Sequence, residues 1–317
     1  RGGNARKTFR TFGTRIAILG DSFVFGFGLQ HENTMPTVLE EMLREELGHQ
    51  DLAVLNAGIV SYAPSLEKLL FEEVVKHYEP TLVILILDTT DIGDDYKYTI
   101  EAVSEDGRTV FPRAGPECGE EGMAHYYGAA VEILAPLFEP LRVSLAYPFS
   151  VVLPRLGIPF GKNCAYNYYK FNLKIGDAVE TNRFFHYRHP LAETHAYFDA
   201  TLGHIQEAAE SVRATGSQFV LVIAPRYQHW NPQECPDNWE LEDYSVDEPY
   251  QFEYCRFFEQ ARPRVAFRIF DMLPAFQATD QTQLVFRDDP HWNRRGSNFA
   301  ARTLADYLVK QDLIEVR

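Results

Sequence analysis

The feature that most constrains this 317-residue chain is a strand-sized apolar run, Thr81-Leu-Val-Ile-Leu-Ile-Leu87. A strand with one wet face alternates apolar and polar side chains. A run that is apolar at every position has to be covered on both faces, as in a parallel sheet clothed by helices. Two shorter segments precede it: Arg15–Gly20, closed by glycine, and Leu52–Asn56, ending at Gly58. Between them, Thr34–Leu47 carries apolar residues near helical spacing, with Pro36 suited to a first turn. Ser65 can cap a second helix running to about His77, before Pro80 marks the return. Strand, helix, strand, helix, strand at this spacing predicts a parallel sheet with right-handed crossovers.

The alternation then stops. Residues from about Asp95 to Pro190 are rich in Gly, Pro and aromatic residues without a steady period. Regularity returns with a helix at Leu191–Ala214 and a fourth strand at Phe219–Ile223. A polar loop (Arg226–Pro249) and a helix near Tyr250–Gln260 follow. A fifth strand is expected at Val265–Phe270 and a closing helix at Arg294–Lys310. The expected fold class is α/β: a three-layer α/β/α sandwich around a central parallel five-stranded sheet. It is read as a single domain over residues 1–317, with a large insertion or cap at about 95–190 after the third strand.

Charge and cysteine content exclude some functions and leave others open. With 45 acidic against 30 basic side chains, the chain is a poor match for a nucleic-acid backbone, whose binding rests on clustered Lys and Arg. No apolar run approaches the roughly 20 residues that a membrane-spanning helix needs. Cys118, Cys164, Cys235 and Cys255 form no CxxC pair, so a zinc ribbon or thioredoxin-type motif is not expected, and the redox compartment stays open. The sequence starts at Arg1 without Met, which reads as a fragment or processed form, so cytoplasmic and exported locations both remain open.

The chemistry-bearing residues sit near the two ends. The first strand runs into Gly20-Asp21-Ser22-Phe23, placing a serine where open α/β sheets bind their ligands. Near the other end lies Asp288-Asp289-Pro290-His291-Trp292-Asn293. A histidine with carboxylates two and three positions back can be oriented and held in one tautomer, and Asn293 suits the cap of the following helix. A P-loop is excluded, because Gly20 leads to no GK[ST] ending. Gly20, Gly26 and Gly28 do not make the dinucleotide-binding GxGxxG.

Taken together, these segments resemble the SGNH/GDSL hydrolase superfamily. The matching pieces are Gly20-Asp21-Ser22-Phe23, Asn56-Ala57-Gly58, Thr90-Asp91 and Asp288 to His291, in the expected order and at strand ends. The resemblance implies a flavodoxin-like sandwich and a serine esterase acting through an acyl-enzyme, with no cofactor and no metal. Ser22 would be the nucleophile, His291 the general base, and Asp288 or Asp289 the orienting acid, with a narrow lean to Asp288. Backbone N–H groups of Ser22 and Gly58 would form part of the oxyanion hole. The third block usually supplies an Asn amide; here Thr90 stands in its place, a shorter group that is also an acceptor. Losing one oxyanion donor costs about 10²–10³ in rate.

Asp21, Arg226 and Trp292 are candidate substrate contacts, Arg226 for an anionic group at the sheet's ligand edge. The expected substrate is a small-molecule or carbohydrate acyl ester. The same triad could instead serve an O-acyltransferase, or the fold could persist as a non-catalytic binding module. Aromatic clusters at His125–Tyr127, Tyr166–Phe171 and Phe184–Tyr187 suit sugar or aromatic groups, although packing is the expected role of most. His186, His189, His195 and Glu193 fit no zinc spacing. Asp91, Asp94 and Asp95 are expected to cap a turn and face water.

Overall fold

The computed structural model describes residues 2–105, 108–110 and 170–314. Its sheet strands are β1 (Thr14–Gly20), β2 (Leu52–Gly58) and β3 (Leu82–Leu87). Two hairpins follow, β4 (Val103–Glu105) with β5 (Arg108–Val110) and β6 (Lys170–Ile175) with β7 (Ala178–Asn182). The last sheet strands are β8 (Gln218–Ile223) and β9 (Arg268–Asp271). The five-stranded sheet runs in the order β2-β1-β3-β8-β9 and every pairing in it is parallel.

Alternation along the strands divides the core into two layers. On one face Ile16, Ile18, Leu82, Ile84, Ile86, Val220 and Val222 meet the helices Met35–Glu41 and Arg294–Lys310. On the other, Ala17, Leu19, Val83, Leu85, Leu87, Phe219, Leu221 and Ile223 meet residues of the helices Pro64–Glu73, Leu191–Ala214 and Glu253–Ala261. Successive strand side chains point to opposite faces, so an apolar run in β3 is what two-sided cover demands. Each buried Leu or Ile contributes about 1.5–3 kcal/mol, which fixes the register against a one-residue slip.

Several ends differ from the sequence reading. The helix expected over 65–77 is Pro64–Glu73 followed by a 3₁₀ turn at Val75–Tyr78, and its cap position is Ala63. Ser65 does not cap; its N–H donates to Asp95 (2.8 Å). The fifth strand starts three residues later than expected, since Arg262–Arg264 first makes a 3₁₀ turn around Pro263. Pro36 does lie in the first turn of its helix, and Asn293 caps the last one by accepting from Arg295 N (2.8 Å) and Gly296 N (3.2 Å). Cys235 and Cys255 are free thiols; Cys118 and Cys164 lie outside the described residues. No helix among the described residues is long and apolar enough to cross a membrane.

Candidate active site

In a parallel sheet all strands end on the same side, so the turns after β1, β2 and β3 converge. Gly20 pairs with Gly58 and with Ile86, which brings the Ser22 turn beside the ends of β2 and β3. Ser22 opens a one-turn helix, Ser22–Phe25, capped by Asp21, whose carboxylate accepts from Phe23 N (2.9 Å). This turn leaves no room below it. A Cβ on Gly58 would lie 2.3 Å from Phe25 N, and one on Gly20 2.3 Å from Val24 Cγ2.

His291 arrives from the far end of the chain on a loop pinned at both flanks. Val285 bridges Trp292, Phe286 N donates to the His291 carbonyl (3.2 Å), and Asn293 donates to the carbonyls of Gln283 (2.8 Å) and Val285 (2.6 Å). The His291 ring sits between Phe23 and Phe27, each 5.0 Å away between centroids. Its Nε2 is 2.7 Å from Ser22 Oγ, and its Nδ1 is hydrogen-bonded to Asp289 Oδ1. Asp289 Oδ1 also accepts from the His291 backbone N–H (2.9 Å). A carboxylate only accepts, so the Nδ1 position carries the proton and Nε2 is left to receive one from Ser22.

Of the two candidate acids, Asp289, and not the slightly favoured Asp288, meets the imidazole in this geometry. Asp288 is exposed, and its carbonyl takes the Trp239 N–H (3.3 Å). Burial opposes charge on both partners of the pair, yet the ion-pair attraction and hydrogen bond outweigh it. Asp289 is held below its ordinary range and His291 above 6.5.

Other expected contacts are placed differently. Gly58 N donates to Asn56 Oδ1 (3.0 Å), and the Thr90 hydroxyl donates to Asp88 Oδ2 (2.6 Å). Each group has one proton, so in this state neither points it at an oxyanion beside Ser22. Asp21 is buried and receives a second contact from the Ser22 hydroxyl at 3.1 Å, longer than the one to His291. Burial and the neighbouring Asp88 charge raise its pKa to about 6. Trp292 is 2% exposed, packed edge-on against Phe23 (4.9 Å) and stacked on Phe276 (5.7 Å), so it braces the loop and does not reach a substrate.

Arg226 is also a correction. It is 1% exposed, with Nε 3.1 Å from both carboxylate oxygens of Asp88 and Nη1 on Glu240. Glu240 in turn accepts from Arg183 Nη2 (2.6 Å), whose Nη1 donates to Asp94 (3.0 Å). The acids expected to face water belong to this buried layer: Asp91, Asp94 and Asp95 are all buried, Asp95 accepting from Ser65 N and lying 2.7 Å from His204 Nδ1. Nearby Glu67 is fully buried, with neither carboxyl oxygen hydrogen-bonded. Burial, then the charges of Asp21 and Asp95, push it well above 4.5. Asp88, Glu240, Arg183 and Glu67 were missed from the sequence; only Asp88, at the exit of β3, stood where a signal could have been read.

Phe184, Phe185, His186 and Tyr187 are all buried and pack the chain after β7 onto the sandwich, while His125–Tyr127 and Tyr166–Tyr169 lie outside the described residues. His189 pairs with Glu180 (2.7 Å) and Glu193 (3.2 Å), and His195 with Asp199 (2.7 Å). Among the described residues no group of three or more His, Cys, Asp or Glu is arranged to hold a metal ion.

Residues 184–316 match a family model described as "SGNH hydrolase-like domain, acetyltransferase AlgX". No curated protein sequence matches the chain. Among solved structures it is similar to the psychrotrophic esterase EstA from Pseudoalteromonas sp. (14% identity, TM-score 0.45, covering 95% of this chain and 98% of that one). It is also similar to TesA (12%, TM-score 0.47, 94% and 99%). A third is a catalytic mutant of Axe2, an acetylxylan esterase from Geobacillus stearothermophilus (11%, TM-score 0.44, 93% and 94%). The blocks that resemble the SGNH/GDSL hydrolases thus stand at the ends of a five-stranded parallel sheet, and the part of the chain that carries His291 matches the SGNH hydrolase-like family model.

Proposed function

We propose that the protein is a serine acyl-ester hydrolase using Ser22 as nucleophile, His291 as general base and Asp289 as orienter. The observation that carries this reading is the continuous hydrogen-bonded line from Ser22 Oγ through His291 to Asp289. His291 Nε2 takes the hydroxyl proton as Oγ attacks the ester carbonyl, and the imidazolium is stabilised by Asp289. The Ser22 N–H travels with the nucleophile and is the oxyanion donor nearest at hand; donors with committed protons contribute only if they turn. The imidazolium then protonates the leaving alcohol, and water activated by the same histidine releases the acid from Ser22. The proposed substrate is an acyl ester, an acetyl ester first, of a carbohydrate or similar polyhydroxylated molecule.

A second reading is favoured by the family model, whose description names an acetyltransferase. In it the same acyl-enzyme is resolved by an alcohol. Both readings are tested by exposing the protein to an organophosphonate ester and to p-nitrophenyl acetate, with and without an alcohol acceptor, alongside Ser22→Ala and His291→Ala. Hydrolysis predicts a label on Ser22 and acetate release in water alone; transfer predicts release that depends on acceptor. A folded parent that takes no label supports the non-catalytic alternative.

A further inference from the structure

Asp21, Glu67, Asp88, Asp91 and Asp94 are all buried, and Glu67, Asp88 and Asp91 lie close enough to Asp21, at the Ser22 turn, for their charges to act on one another. Attack on an ester puts new negative charge at that turn, and fixed negative charge nearby raises the cost of forming it. Protonation removes part of the problem, since burial first and mutual repulsion second push Glu67 and Asp91 well above the carboxylate range. Asp88 cannot use that route. Burial works against its charge, but Arg226 and two bonds from Thr90 hold its pKa low, so it stays an anion whose charge is felt at Asp21.

The counter-charge is Arg226. Its guanidinium carbon lies 5.8 Å from the Phe23 ring centre, and the same ring lies 5.0 Å from His291. One aromatic ring thus has both a buried cation and the candidate base within 6 Å of its centre, in a region where water does not screen the charge. We propose that Arg226 is a positioning residue for the reaction: never touching substrate, it neutralises Asp88 behind Ser22 and supplies the positive potential that the threonine at position 90 does not. The inference rests on the reading of Ser22 as nucleophile. The charged groups facing His291 are Asp289 from its own loop, Asp21 from the turn after β1 and Arg226 from the segment after β8. Glu240, bonded to Nη1 of Arg226, draws off part of that cation's field.

The test is the second-order rate of phosphonate labelling against pH for the parent, Arg226→Lys, Arg226→Met and Glu240→Gln, with folding checked by circular dichroism. Arg226→Met is expected to label at least about 10² more slowly, and Arg226→Lys to recover most of that loss. Glu240→Gln should move the acid limb of the profile to lower pH by about half a unit or more, because a guanidinium left with Asp88 as its acidic partner disfavours the imidazolium more strongly. A packing role alone would slow the reaction without moving the limb. A folded Arg226→Met that labels like the parent overturns the proposal, as does a Glu240→Gln limb that stays put or moves up. If Arg226→Met does not fold, Arg226→Lys and Glu240→Gln decide by the same criteria. A parent that takes no label removes the Ser22 reading and this inference with it; a labelling parent with indifferent variants removes the inference alone.

Discussion

Asp289 meets His291 twice, through the imidazole Nδ1 and through the backbone N–H at 2.9 Å, although the two residues are only two apart in sequence. Asp289→Asn keeps the shape but can present an N–H to Nδ1 and favour the wrong tautomer. Turnover should fall by about 10⁴. Asp288→Asn, at an exposed position, should stay within a few-fold of the parent. Steady-state kinetics on p-nitrophenyl acetate separates them, and equal losses would reject the assignment.

The pH profile follows from the same pair. Burial disfavours the imidazolium, but Asp289 outweighs it and raises His291 above 6.5. A general base works only when neutral, so activity should rise with pH through a midpoint above 6.5. Removing the carboxylate leaves burial as the main influence, so in Asp289→Ala the residual activity should have its midpoint at lower pH. A parent midpoint at or below 6 would contradict the arrangement.

Thr90 gives its hydroxyl proton to Asp88 at 2.6 Å. Thr90→Val should therefore slow acyl transfer by less than about tenfold, against the 10²–10³ expected for a working oxyanion donor. It should also lower stability by about 1 kcal/mol, the ordinary worth of one buried hydrogen bond. Comparing kcat with the urea midpoint distinguishes the two effects.

Glu67 should reveal itself in stability. Its folded pKa lies well above the unfolded 4.5, so the folded state holds the proton more tightly and stability declines as pH rises from about 4.5 toward the folded value. Glu67→Gln is always neutral. It should match the parent near pH 4 and exceed it progressively above. Urea melts at pH 5 and pH 8 check this; a stability difference that does not grow with pH would sink it.

Gly58→Ala would place a methyl group 2.3 Å from the Phe25 backbone nitrogen. Backbone cannot rotate away as a side chain can, so the helix carrying Ser22 has to shift. The expected cost is about 1–3 kcal/mol of stability, with turnover reduced by up to about 10² from the displaced nucleophile. Thermal melts and kinetics on the same preparation measure both.

The sheet was legible because two-sided burial writes itself into sequence as unbroken apolar runs, as in Leu82–Leu87. β9 was the least legible strand: Val265 and Phe267 look like strand residues but are only half-buried and precede it. Ser22 and His291 stood out as candidates because strand ends and a helix start fix their places. Asp288 and Asp289 could not be separated, since loop curvature, and not spacing, decides which carboxylate turns inward. Arg226 was misjudged for a related reason. A polar residue after a strand looks the same in sequence whether it faces water or is swallowed, and its partner Glu240 lies in a loop without any period.

The loop that carries His291 closes on itself, through the Val285–Trp292 bridge and the three carbonyl-directed bonds around Phe286 and Asn293. The candidate base and orienter are consequently carried as one cassette, spelled within the eleven residues from Gln283 to Asn293 and tied by bonds inside it. A single deletion inside it would displace both at once.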